Sequence, residues 1–258
     1  MDKNRKEPAP VIQLSSIKAA CGNCGLKDLC LPLGLSSQDL DALESIVQRR
    51  RKVKRGEQLF SMGDPLGALY AVRSGAFKSS ELLDDGRVQV TGFHLSGELL
   101  GIDAIGDERH PGSAEALETS EVCELPYAKL ETLAREIPGL QHQLLRLMSG
   151  EIAREGALLM MLGKMNAEER LLACLLNFSQ RQQRLGFSGT SFRLHMSRQD
   201  IGDYLGLALE TVSRLFSRFQ EERLIAVCGK HVEIENMDGL QRRLGVSAGG
   251  SQHARGSL

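Results

Sequence analysis

The chain has 258 residues, 41% of them hydrophobic and 25% charged, with a formal net charge of −1. That is enough for one large or two ordinary globular domains, and the composition excludes a fibrous or disordered chain. No apolar run approaches the length that spans a bilayer, and no secretory leader is visible, so a cytoplasmic protein with no membrane partner is expected.

Charge is unevenly spread. Residues 170–258 carry 12 Lys and Arg against 8 Asp and Glu, and the remainder carries 20 against 25. A basic C-terminal part suits contact with a polyanion. Stable disulfides are not kept in a reducing compartment, so the 6 cysteines need another explanation.

Residues 1–20 are charged, contain Pro8 and Pro10, and show no periodicity; they read as poorly ordered. CGNCGLKDLC follows, with Cys21, Cys24 and Cys30 spaced C-x2-C-x5-C and Gly22 and Gly25 between them. The glycines let such a loop fold back so that its thiolates converge, which points to a metal site. Cys123, Cys174 and Cys228 are candidates for a fourth ligand, and spacing alone leaves zinc and iron–sulfur both open.

Ser36 and Asp39 open an amphipathic helix over 36–50, with Leu40, Leu43, Ile46 and Val47 as its stripe. From about Lys52 to Pro126 short strand-like runs alternate with glycines: Gln58–Phe60, Ala68–Val72, Ala76–Leu82, Arg87–Phe93, Glu98–Leu100, Ala114–Leu117 and Val122–Leu125. Asp85-Gly86 is a hairpin turn signal, and the whole reads as a small all-β roll. Cys123 lies on its last strand.

A short helix over 127–136 precedes a long one from about Leu140 to Lys164. Leu145, Ile152 and Leu159 recur every seven residues, accompanied by Met148, Glu155 and Leu162. A stripe this wide suits a two-stranded coiled coil between identical chains, with one flank left to pack on the roll. Glu155 would face its copy across the two-fold axis and weaken the pair.

Asn166 starts a C-terminal domain with a leucine-rich helix over Leu171–Leu176. Then comes MSRQDIGDYLGLALETVSRLFSRFQ, Met196 to Gln220. Ser197 with Asp200 makes a helix start, and Gly206 a left-handed stop. In the second helix Val212, Leu215, Phe216 and Phe219 occupy one face and Glu210, Ser213, Arg214 and Ser217 the other. This is the pattern of a helix-turn-helix, whose second helix enters the DNA major groove. Arg214 suits guanine O6 and N7, Glu210 the amino group of cytosine, and Ser213 either. Leu224–Val227 and His231–Ile234 read as a hairpin wing with Cys228 at its turn, and the tail from Val246 as disordered. No Ser/His/Asp set, carboxylate pair or phosphate loop suggests an enzyme.

Taken in order, these segments resemble the CRP/FNR superfamily of bacterial transcription regulators, and within it the oxygen-sensing fumarate and nitrate reduction (FNR) branch. The motifs are the cysteine loop, LYAVRSGAFK, QVTGFHLSGELLGIDAIG, ALETSEVCELP, RLMSGEI, NAEERL and FRLHMSRQDIGDYLGLALETVSRLFSRFQ. The resemblance implies an α+β fold: a cysteine loop over 1–35, a sensor roll over 36–137, a dimerisation helix over 138–165, a winged helix-turn-helix over 166–245 and a tail. It implies a 4Fe–4S cluster on Cys21, Cys24, Cys30 and Cys123, and recognition by Glu210, Ser213 and Arg214 of a site of the form TTGAT, four bases, ATCAA. It also implies a homodimer on double-stranded DNA with RNA polymerase as a partner, at loops that include Arg73-Ser74 and Leu83–Gly86. The cyclic-nucleotide branch has an Arg-Ser pair after its Gly-Glu turn. Here Gly97-Glu98 is followed by Arg109-His110-Pro111-Gly112-Ser113, so no cyclic nucleotide is expected, and Glu98 and Arg109 are expected on the surface.

Overall fold

The computed structural model describes residues 21–22, 24–47 and 49–245. The segments read above as poorly ordered, 1–20 and the tail from Val246, lie outside them. Two four-stranded antiparallel sheets form the roll: β1 (Arg49–Val53), β8 (Ser120–Pro126), β3 (Ala68–Ser74) and β6 (Leu99–Leu100) in one, and β2 (Gln58–Phe60), β7 (Ser113–Ala116), β4 (Ala76–Leu82) and β5 (Val88–Leu95) in the other. Val53, Val72, Leu100 and Val122 of the first sheet meet Leu59, Phe77, Ala114 and Ala116 of the second in a closed core.

Strand alternation then serves a second core on the outer face of the first sheet. On β3, Val72 points into the roll, whereas Leu69 and Ala71 point outward with Leu125 of β8. Over them lie α1 (Ser37–Ile46), α2 (Tyr127–Glu136) and the start of α3 (Pro138–Lys164), through Leu43, Leu130 and Leu140. Ser36 caps α1 by accepting from the Asp39 amide, and Pro138 sits in the first turn of α3, where no amide partner is lost.

The helix expected over 36–50 stops at Ile46, and 49–53 pairs with β8 instead. Arg-Arg-Arg-Lys-Val has no apolar alternation, so only its partner strand makes it a strand. Two other short elements were not anticipated: β9 (Ser191–Arg193), which pairs with β11 (His231–Ile234), and the terminal α7 (Met237–Arg243), which Asn236 caps by accepting from the Gly239 amide.

The faces of α3 divide its work. Leu144 and Leu147 pack on the roll's outer core, and Leu158 and Met161 on the C-terminal core. Leu145, Ile152 and Leu159 stand out at 57%, 69% and 71% exposure. Glu155 is exposed, while Met148 and Leu162 are half-buried.

The C-terminal domain comprises α4 (Ala167–Arg184), α5 (Arg198–Leu205), α6 (Leu209–Glu221) and the β10–β11 hairpin (Ile225–Cys228, His231–Ile234), besides β9 and α7. Asn166 and Glu169 form a capping box at α4, and Ser197 and Asp200 another at α5. Cys174 is buried in the domain core, and Cys228 is exposed at the end of β10. Nothing among the described residues is a helix long and apolar enough to cross a membrane.

Candidate functional site

Two places carry chemistry. The first is a pocket against the outer face of the roll, lined by Cys21, Cys24, Cys30 and Cys123 together with apolar side chains such as Leu26, Leu31, Leu43 and Leu125. Three of the thiols come from the N-terminal loop and one from β8. They reach one place because Cys123, like Leu125, points outward from β8 toward the packed helices.

The loop is pinned from three sides. Gly22 donates its amide to Glu44 Oε1 of α1 at 2.8 Å. Leu29 lies against Gly97, whose φ of +90° no other residue adopts freely and where even a methyl group would press on Leu29. Gln143 of α3 is 3% exposed and donates from Nε2 to the Cys30 carbonyl at 3.0 Å.

Electrostatically the pocket suits thiols only when something compensates their ionisation. Burial pushes the Cys21 thiol up to about 12, with Cys123, Glu44 and Cys24 adding to the rise. Burial likewise pushes Cys30 up to about 12 and raises Cys123, against the pull of Arg73. Among the described residues no three His, Cys, Asp or Glu side chains stand as they would around a single metal ion. The four thiols share a pocket without converging on a point. An iron–sulfide cluster is wider than one ion, and soft thiolates are its usual ligands, so a shared apolar pocket is the arrangement it fits.

The second place is the exposed face of α6. Val212, Leu215, Phe216 and Phe219 are buried, and Glu210, Ser213, Arg214 and Ser217 are exposed along the opposite side. The turn before α6 is tight: Gly206 adopts φ 64°, and the Leu207 carbonyl comes so near Gly202 that a Cβ there would lie 2.5 Å from it. Gly202 is the residue of this motif that the sequence reading passed over; a glycine inside a helical run was its signal.

With this geometry in view, two families match by sequence: "Crp-like helix-turn-helix domain" over residues 169–243 and "Cyclic nucleotide-binding domain" over 50–136. The fumarate and nitrate reduction regulatory protein of Escherichia coli K12 is 47% identical over 234 residues, 91% of this chain and 94% of its own length. That of Salmonella typhimurium LT2 is 48% identical over 229 residues, 89% and 92%. This chain belongs to the FNR regulators. It is a transcription regulator with a DNA-binding helix-turn-helix, in a family of regulators rather than enzymes. Among solved structures, FixK2 from Bradyrhizobium japonicum is 30% identical, with a TM-score of 0.70 over 75% of this chain and 95% of its own. A CRP-family regulator from Thermus thermophilus shares the fold at 23% identity and TM-score 0.55, over 76% of this chain and 96% of its own.

Within the FNR frame, one expectation needs correcting. Arg109 is exposed as expected, but Glu98 is not a surface residue. Its carboxylate takes hydrogen bonds from the Arg181 guanidinium of α4 at 2.6 and 3.1 Å and from the Leu95 amide at 2.9 Å. Burial pushes the Glu98 carboxyl up, but Arg181 and Arg154 outweigh it and hold it below the usual range. The Gly-Glu turn therefore serves to join the roll to the helix-turn-helix domain. Other contacts share that task. Lys78 Nζ of β4 bonds Asp200 Oδ1 of α5 at 2.8 Å, and Gln89 of β5 donates to the Asp203 carbonyl at 2.7 Å. The pairs Glu98–Arg181, Lys78–Asp200 and Gln89–Asp203 were not found by sequence reasoning, because pairing across more than 80 residues leaves no local signal.

Proposed function

We propose that this regulator is controlled by oxygen through a 4Fe–4S cluster held by Cys21, Cys24, Cys30 and Cys123, and that it acts as a cytoplasmic homodimer on a palindromic TTGAT-type operator. The observation that carries the reading is the pocket: four thiols from two distant segments share one apolar site, next to a loop that α3 grips through Gln143. When bound, the cluster would supply a charge centre that thiolates ligate and that air oxidises. The chain's residues do the rest. Cys21, Cys24 and Cys30 fix the loop, Cys123 ties it to β8, and Gln143 relates the path of the loop to α3. Leu145, Met148, Ile152, Leu159 and Leu162 form the seam with a second copy, supported by the exposure of Leu145, Ile152 and Leu159.

Glu155 sets the seam's threshold. Two carboxylates near the two-fold axis oppose pairing, so the dimer forms only where the ordered loop has set the helix for it. Pairing puts two α6 helices one DNA turn apart, ~34 Å, with Arg214 on guanine, Glu210 on the paired cytosine and Ser213 beside them. A single chain has half the phosphate contacts and holds DNA far more weakly. RNA polymerase is the further macromolecular partner. The hairpin tip at 83–86 offers it a surface, because Leu82, Leu83 and Val88 are exposed at 58%, 44% and 48%. Cyclic nucleotide is not a ligand in this reading, since Glu98 is committed to Arg181. The domains follow the functions: cysteine loop to residue 35, roll to 137, dimer helix to 165, DNA reader to 245.

An anaerobic absorption spectrum with iron and sulfide counts tests the reading. About four irons and four sulfides per chain, with broad visible absorption bleached by air, are expected of a 4Fe–4S protein. A colourless anaerobic protein that still pairs and binds its operator would sink it.

A further inference from the structure

Register on the first sheet decides what surrounds Cys123. Residues directly opposite in neighbouring strands share a face. Cys123 faces Arg50 across the β1–β8 pair and Ala71 across the β3–β8 pair. Arg73 stands two residues along β3 from Ala71, at a register shift, and lines the same pocket as the cysteines. So two guanidinium groups flank the one cysteine that the roll contributes, with a small alanine between.

Both leave a donor unpaired. Arg50 Nε and Arg73 Nη1 are buried without a hydrogen-bond partner. Arg73 places its Nε 3.6 Å from Glu121, which accounts for one edge of its fork and not for the other. Buried N–H groups of a charged side chain are costly to leave unmet, and a native chain keeps them where something accepts. Sulfur is the acceptor class beside them: Cys123 is directly opposite Arg50, and Arg73 shares a pocket with the four cysteines. Four thiolates outweigh the positive charge of a 4Fe–4S core, so the ligated cluster is an anion, and hydrogen bonds to its sulfurs and its local charge set its potential.

Resting on the cluster reading above, we propose that Arg50 and Arg73 are positioning residues of the cluster. Their free N–H groups donate to sulfurs around Cys123 and hold the cluster's reduction potential up. They thereby set how readily the cluster loses an electron to dioxygen, which is reduced in turn. Ala71 keeps room for both. A neutral side chain at either position leaves the anion less compensated, and the oxidised form is reached more easily.

The test compares anaerobically purified wild type with Arg50→Gln, Arg73→Gln, the double variant, the two Arg→Lys variants and Arg87→Gln as a control in the turn between β4 and β5. Iron and sulfide content, midpoint potential and the decay of visible absorbance in air are measured. Each Gln variant is expected to load a full cluster, to lose it roughly three- to tenfold faster, and to titrate lower, a tenfold shift of a one-electron equilibrium being 59 mV. Lys, which keeps the charge, should recover most of the difference, and Arg87→Gln should match wild type. Gln variants with wild-type potential and decay overturn the proposal. A Gln variant that folds but assembles no cluster supports it if Lys restores assembly and overturns it if Lys does not. Wild type without iron or sulfide defeats the cluster reading itself, whereas loaded wild type with unmoved variants defeats only this inference.

Discussion

The cysteine pocket and the recognition helix are opposite kinds of site. Around α6 every requirement is met by the chain itself: a buried apolar face, a capped preceding helix, a glycine turn, and polar side chains already held in solvent. In the pocket the chain stops short, with thiols raised by burial and arginine donors without acceptors. In the proposed reading one site is ready at all times and the other is conditional. A regulator built this way would have no need to remodel its reading surface. It would need only to decide how many reading surfaces are held together, and α3 packs against the cores of both regions.

Breaking the conditional site should have the largest effect. Cys24→Ser or Cys123→Ser is expected to abolish the visible chromophore and anaerobic operator binding together while leaving the far-ultraviolet spectrum of the fold. Full retention of both properties would remove these ligands from the assignment. Next in size is the joint between the two regions. Arg181→Leu leaves the Glu98 carboxylate buried without its main partner and is expected to cost ~3–5 kcal/mol in denaturant melts. A loss under ~1 kcal/mol would show the joint to be solvated in solution.

The ready site can be weakened alone. Arg214→Ala should cost ~1–3 kcal/mol in operator binding by titration, with the dimer unchanged in sedimentation. Loss of pairing in that variant would contradict the separation of the two sites. The contact between Lys78 and Asp200 gives a pH prediction of comparable size. Burial raises the Asp200 carboxyl, but the hydrogen bonds from Lys78 and Ser197 bring it below its usual range. A depressed carboxyl stabilises the fold above its unfolded pKa of about 3.9 and loses that contribution as pH falls through its folded value. Lys78→Met should therefore flatten the acid limb of the stability curve below about pH 4, an effect of ~1–2 kcal/mol. The smallest effect belongs to the threshold residue. Glu155→Ala should tighten dimerisation of the apoprotein by about 1 kcal/mol, a value set by two charges meeting in water. Sedimentation that does not change would remove Glu155 from the seam.

How far the sequence was legible follows the same division. The helix-turn-helix was readable almost residue by residue, because caps, the glycine stop and the apolar period are all local signals. The roll was readable as a roll, with forecast strand ends at most two residues off. The cysteine spacing pointed to a metal-binding loop and left three candidates for the fourth thiol, of which the family resemblance named Cys123; the outward face of β8 brings Cys123 into the pocket of the other three. Strand β1 was missed, its first two residues falling inside a helix forecast, because Arg49 to Lys52 offer no apolar pattern. Arg50, Gln143 and Glu98 were missed or misplaced for one reason: their roles depend on partners that tertiary packing alone brings near.

The Gln143 bond to Cys30 has a consequence of its own. It ends on a main-chain oxygen, so it reports where the backbone at position 30 runs and is blind to the state of the sulfur attached there. What passes to the long helix by this route is displacement rather than charge. Any event that shifts that peptide would be transmitted alike, and one that alters the sulfur while leaving the peptide in place would go unheard.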